Sequence, residues 1–276
     1  MKRSMHPHSV LKATVLALAL GIVGCETVQT TQPGAVGVTR TQRMAVSSEE
    51  IQAASAQAYQ ELLREAAAEG VLDKDPAQVA RVRAVTARLI PPTGAFRPEA
   101  LRWTWEAHLF DTNDINAFCM AGGKIGVYSG LLERLQLTDA ELAAVIGHEM
   151  AHALREHVRE QVSLQQVQQL PLAILSAVTG NQGLAQLGDM VADVTLTLPR
   201  SRQAELEADR IGVELAARAG FDPTAAVSLW RKMRTAGGGG PPEFLSTHPS
   251  AADREAQLMQ AAQLVMPLYR QAIAGR

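Results

Sequence analysis

The stretch Leu142–His157, reading LAAVIGHEMAHALREH, holds the residues best suited to chemistry, because His148-Glu149-Met150-Ala151-His152 sets two imidazoles four positions apart. On a helix these stand one turn apart on one face, so both reach a single metal ion. Glu149, beside the first histidine, is placed to take a proton from a water that such an ion activates, which is the arrangement of a hydrolase. HExxH also arises by chance in a chain with 7 histidines. The neighbours favour the metal. Leu142, Ile146, Met150 and Ala153 form an apolar stripe, and Ala143, Ala144, Gly147 and Ala151 keep the other sides small, as in a helix packed nearly all round. Two imidazoles and a carboxylate buried there cost free energy unless they have a partner.

The elements that position these groups are read from caps and periods. Thr138-Asp139-Ala140-Glu141 is a capping box that opens the HExxH helix, and Ser47-Ser48-Glu49-Glu50 opens an earlier helix that runs to Gly70. Pro76 opens a second helix, with Val79, Val82, Thr86 and Leu89 on one side and Pro91-Pro92 ending it. These two helices pack on the catalytic core or cover it; both arrangements fit. From Arg102 the period changes to two. Trp103, Trp105, Ala107 and Leu109 alternate with polar residues as in a half-buried strand, His108 being one of the polar set. Ala117–Met120 and Lys124–Tyr128 read as two more strands joined through Gly122-Gly123. A long helical insertion is expected over about Glu160–Leu198, its apolar run Leu170–Val178 being about half the length of a membrane span. His157 lies off the His148/His152 face and reads as a surface residue. The fold class is α+β, mainly helical, with a small antiparallel sheet beside the HExxH helix.

The start of the chain reads as a leader. Lys2, Arg3 and Lys12 form a positive region and Ala13–Val23 a short apolar one. Ile22-Val23-Gly24-Cys25 resembles the lipobox of bacterial lipoproteins, which implies lipid on Cys25 and an anchor in a membrane; Glu26, in place of an aspartate, points to the outer membrane. The expected division is residues 1–24 signal peptide, 25–46 flexible tether and 47–276 catalytic domain. Without the leader the formal charge moves from −2 to about −5, a balance that does not suggest nucleic acid as a partner. Cys119 is then the only other cysteine and reads as a small buried apolar residue.

A catalytic zinc takes three protein ligands and keeps one position for water. The segment Ser201–Asp209, SRQAELEAD, sets Glu205 and Asp209 one turn apart on a helix. Read alone it fits either Glu205 on a metal, with Asp209 orienting the imidazole of His148, or an exposed acidic face that includes Glu207.

HExxH followed by SRxxExxAD resembles the HtpX and CAAX-prenyl-protease family of zinc metallopeptidases, a branch of the gluzincins. Asn116-Ala117-Phe118, Gly122-Gly123-Lys124, Ser129-Gly130-Leu131-Leu132, Leu137-Thr138 and GHEMAHALREH are similar to the soluble lipoprotein LoiP-like and Oma-like members. One departure is Ala121, where that family usually has proline. The resemblance implies a zincin-like domain with one Zn2+ per chain, held by His148, His152 and Glu205. It implies Glu149 as the catalytic base and Asn116, Ala117 and Phe118 on a substrate-binding edge strand. It also implies His248, in Ser246-Thr247-His248-Pro249, as a donor to the tetrahedral oxyanion. The expected protein is a zinc metalloendopeptidase on the periplasmic side of a bacterial envelope, lipid-anchored and cleaving unfolded or misassembled envelope proteins. A zinc-dependent chaperone with little proteolysis, and a structural lipoprotein with a vestigial site, are the alternatives.

Overall fold

A computed structural model describes residues 26–176, 183–236, 242–249 and 253–275. The leader, Cys25, the Gly237–Gly240 loop and Ser250 lie outside the described residues, as do the side chains of the Leu170–Val178 run.

Three strands form the sheet beside the site: β3 (Glu106–Phe110), β4 (Ala117–Met120) and β5 (Lys124–Tyr128), after a short pair β1 (Glu26–Val28) and β2 (Gln42–Met44). The order is β3-β5-β4, with β5 central, parallel to β3 and antiparallel to β4. The sheet is therefore mixed rather than antiparallel. Its hairpin β4–β5 is local, closed by Gly122 and Gly123 with φ of 78° and 83°, whereas β3 reaches β5 by skipping a strand. β4 is an edge strand. The strand expected from Arg102 begins only at Glu106, because Pro98–Arg102 is wound into a 3-10 turn.

Both faces of the sheet are covered. Ala107, Leu109, Ala117, Cys119, Ile125 and Val127 face the main core. Phe110, Phe118 and Met120 face α1 (Ser48–Ala68), whose Tyr59 hydroxyl donates to the Ile125 carbonyl at 2.7 Å. α2 (Pro76–Leu89) lies on the core side, and a short α3 (Ser129–Leu135) leads out of β5. Thr138 and Glu141 make the expected capping box of α4 (Asp139–Leu154), and Ser47 and Glu50 that of α1. The HExxH helix α4 is buried from Glu141 to its end. α5 (His157–Ser176) and α6 (Gly183–Leu196) occupy the expected insertion. α7 (Arg202–Arg218) packs on α4, and α8 (Ala225–Thr235), α9 (Glu243–Thr247) and α10 (Arg254–Ala274) close the other side. Among the described residues no helix is long and apolar enough to cross a membrane.

The segment expected as a tether is instead a strap bound to the domain. Val36, Val38, Met44 and Val46 are buried, Val36 N–H donates to Glu214 at 3.0 Å, and the Arg40 guanidinium grips Glu160 with two bonds of 2.6 and 2.8 Å. The buried apolar residues form only two short alternating pairs, Val36/Val38 and Met44/Val46, and the rest of the anchoring is polar, so the apolar signal in the sequence is brief.

Candidate metal centre

The centre forms where α4 crosses α7, and two glycines set the distance. A methyl on Gly212 would lie 2.7 Å from the His148 backbone nitrogen, and one on Gly147 2.9 Å from the Gly212 carbonyl oxygen. Bare backbone on both helices lets the axes close, and this brings Glu205 and Asp209 of α7 against the histidines of α4.

Nε2 of His148 and Nε2 of His152 are 3.0 Å apart. The Glu205 carboxylate lies 3.4 Å from the first and 3.3 Å from the second. A tetrahedral zinc with ligand bonds of about 2.0–2.1 Å holds its donor atoms about 3.3 Å from one another, so the spacing fits. His248 adds a ring to the group: donor atoms from His148, His152, Glu205 and His248 all fall within 4.8 Å of each other, and all four residues are buried. Glu205 Oε1 and both oxygens of Glu149 are buried with no hydrogen-bond partner, a cost that a bound cation and water would remove. The His/His/Glu set suits zinc.

Charges around the centre favour the ligating forms of His152, His248 and Glu205, whereas the carboxylates beside His148 favour its proton, which a bound cation would displace. Burial pushes His148 down, but the Asp209 and Glu205 carboxylates reverse this and take it up to about 9. Burial and the Arg200 charge drive His152 well below the ordinary histidine value, and burial does the same for His248. Burial pushes Glu205 up, yet the imidazoles of His248, His148 and His152 hold it well below the usual carboxylate range. Glu149 is raised to about 7, chiefly by burial, as suits a base working near neutrality.

Outside the donors, Asp209 accepts from Nδ1–H of His148 at 3.0 Å. Arg254 of α10 donates to Asp209 at 2.7 Å and to Glu205 at 3.2 Å while stacking over Trp230. His248 stacks on Phe244 and lies 3.4 Å from Glu149. Its Nδ1–H donates to the Phe244 carbonyl at 3.1 Å, and its Nε2 accepts from Arg200 at 3.3 Å. In this arrangement the Nε2 of His248 is an acceptor, and Arg200 brings the positive charge. The Phe244 N–H also donates to the Ile115 carbonyl at 3.2 Å, tying the turn that carries His248 to the chain entering β4.

Two residues stand differently from the sequence reading. His157 is buried, with Nδ1 2.8 Å from Nδ1 of His152 and Nε2 3.2 Å from Glu207. Glu207 is buried too, held by Arg155 at 2.8 Å as well as by Arg40. The helix bearing His152 stops at Leu154 and the chain reverses through Glu156, whose φ is +53°. His157 is thereby turned back toward His152, whereas on a continuous helix it would point well away from it. Arg155 lies within GHEMAHALREH but was given no role there, and Arg200 and Arg254 fell in no motif.

The chain matches the model of "Peptidase family M48" over residues 76–262. It is 39% identical over 175 residues to the mitochondrial metalloendopeptidase OMA1 of Arabidopsis thaliana, covering 63% of this chain and 35% of that protein. It is 34% identical over 232 residues to the mitochondrial metalloendopeptidase OMA1 of Bos taurus, covering 79% and 44%. To the beta-barrel assembly-enhancing protease of Escherichia coli it is 31% identical over 173 residues, covering 59% and 35%. The chain thus spans less than half the length of these relatives. The relatives correct one expectation: a lipid-anchored place on the periplasmic side of an outer membrane, read from the leader and Cys25, is overturned by similarity to proteins named as mitochondrial in plant, animal and yeast. With the model matched across the sheet, the HExxH helix and α7, the chain belongs to peptidase family M48.

Proposed function

We propose that this protein is a zinc-dependent metalloendopeptidase that cleaves unfolded or misassembled protein segments. The observation that carries the reading is Glu149. It is a fully buried carboxylate with both oxygens unpartnered, next to a donor set spaced for zinc. A scaffold or chaperone needs no such base. When bound to His148, His152 and Glu205, zinc supplies Lewis acidity to the attacking water and the scissile carbonyl. Glu149 accepts the water's proton and returns it to the leaving amine. Arg200, which donates to Nε2 of His248 across from Glu149, is the group placed to balance charge on the carbonyl oxygen.

The substrate enters extended, adding a strand beside Asn116, Ala117 and Phe118. Two features support this. β4 is an edge strand of the sheet, and the Ala117 N–H is turned away from β5 to the Asn116 side-chain oxygen at 2.9 Å, a bond that an incoming carbonyl can replace. Main-chain pairing of this kind accepts many sequences and requires an unfolded one, which fits disordered segments as substrates.

Glu149→Gln tests the reading, since it keeps shape but cannot accept a proton. Zinc content stays near wild type while hydrolysis of an unfolded protein such as casein falls roughly 10²–10⁴-fold. Wild-type turnover by a zinc-loaded Glu149→Gln protein would refute the mechanism.

A further inference from the structure

We propose that His157 is a positioning residue for the metal ligand His152, passing the pull of Glu207 through its ring so that Nε2 of His152 is held ready for zinc. This rests on the reading that His148, His152 and Glu205 bind the metal. The two Nδ1 atoms are 2.8 Å apart, so one carries a proton and the other a lone pair. The far end of the chain of bonds decides which. Glu207 receives Arg155 through Nε and Nη2 at 2.9 and 2.8 Å, with Arg40 on its other side. A carboxylate in that setting is ionised and only accepts, so Nε2 of His157, 3.2 Å away, carries a hydrogen. In the neutral ring Nδ1 of His157 is then bare and accepts from Nδ1–H of His152. That leaves the lone pair of His152 on Nε2, the atom that faces Glu205 and His148. The opposite order would put hydrogen on the ligating nitrogen and leave Nε2 of His157 lone pair to lone pair against Glu207.

The two histidine ligands are thus oriented by different means. His148 bonds directly to a carboxylate, Asp209, on the helix that also supplies Glu205. His152 reaches its carboxylate through an intervening imidazole, and that carboxylate is clamped by the strap through Arg40. A hydrogen-bond acceptor on the outer nitrogen fixes ring orientation and raises ligand basicity, and losing one costs about 10–100-fold in metal affinity.

The test is zinc affinity of the full chain by competition with a chromophoric chelator, with folding checked by circular dichroism. His157→Ala removes the acceptor and is expected to weaken zinc about 10–100-fold. His157→Asn removes the same ring but keeps a carbonyl oxygen near the position of Nδ1, and recovers about tenfold over alanine if one hydrogen bond is what matters. Wild-type affinity in His157→Ala overturns the proposal. Equal loss in both variants also overturns it, because His157 would then only fill space. Should the alanine variant not fold, Glu207→Gln decides: a three- to tenfold loss of affinity supports the chain of bonds, and no loss overturns it. A wild-type protein that binds no zinc would instead sink the metal-site reading itself.

Discussion

Glu205 and Glu207 stand two positions apart on one helix and face different partners: Glu205 turns to the histidine donors, and Glu207 to Arg155, Arg40 and His157. Truncation separates them. Glu205→Ala removes a metal donor, so purified protein is expected to lose most of its zinc by elemental analysis while α7 remains helical. Full zinc in that variant would place the third donor elsewhere. At this scale the sequence was informative wherever a spacing maps onto one helical turn. His148, His152, Glu205 and Asp209 all obey that rule and come together. His157 does not, because its approach to His152 depends on a left-handed Glu156 with no glycine to announce the turn.

Helices α4 and α7 depend on backbone contact rather than side-chain packing where they cross. Gly212→Ala puts a methyl 2.7 Å from the His148 nitrogen and forces the helices apart. A cost of about 1–3 kcal/mol is expected, read as a lower unfolding midpoint in urea. The same shift moves Glu205 from the histidines, so zinc affinity falls in parallel; Gly212→Ala with unchanged affinity would show that the separation is not set here. Element ends were legible from sequence because capping boxes are local, and both were found at Ser47 and Thr138. The parallel pairing of β3 with β5 was not, since it joins residues whose alternation says which face is buried but not which strand lies alongside.

For the whole molecule, buried carboxylates paired with arginines set the acid limit. Burial pushes Glu156 up, but Arg97, Ser48 and Arg159 outweigh it and the net shift is downward. Burial likewise raises Glu207, and His157, Arg40 and Arg155 more than reverse it. A carboxylate held below its unfolded value of about 4.3 adds stability above that pH and loses it as pH falls toward the folded value. These carboxylates are therefore expected to add a steady drop in melting temperature below about pH 4.5, beneath a loss that starts near pH 6.5, where the unfolded chain protonates His152 and His248. A flat profile between pH 5 and 3 would contradict this ledger of charges. The strap that supplies Arg40 escaped the sequence reading because its Thr- and Gln-rich composition is that of a linker. Distant partners, among them Glu160, Glu207, Glu214, Arg155 and Ser163, make it structure.

Those distant partners also order events in time. Arg40 meets a carboxylate 167 positions later, and Val36 one 178 positions later. At about 5–20 residues per second, a ribosome needs roughly 10–30 s to make the intervening chain. Throughout that interval Arg40 lacks Glu207 and Val36 lacks Glu214, although Glu160 and the Arg155 carbonyl are already made, and the imidazoles of α4 wait as well for Glu205. The strap and the metal centre are therefore completed together, when α7 emerges. A nascent chain stalled before Glu205 is expected to be cut by protease across residues 30–44, and one extended past Glu214 to resist; protection in the shorter chain would show that the strap docks without α7.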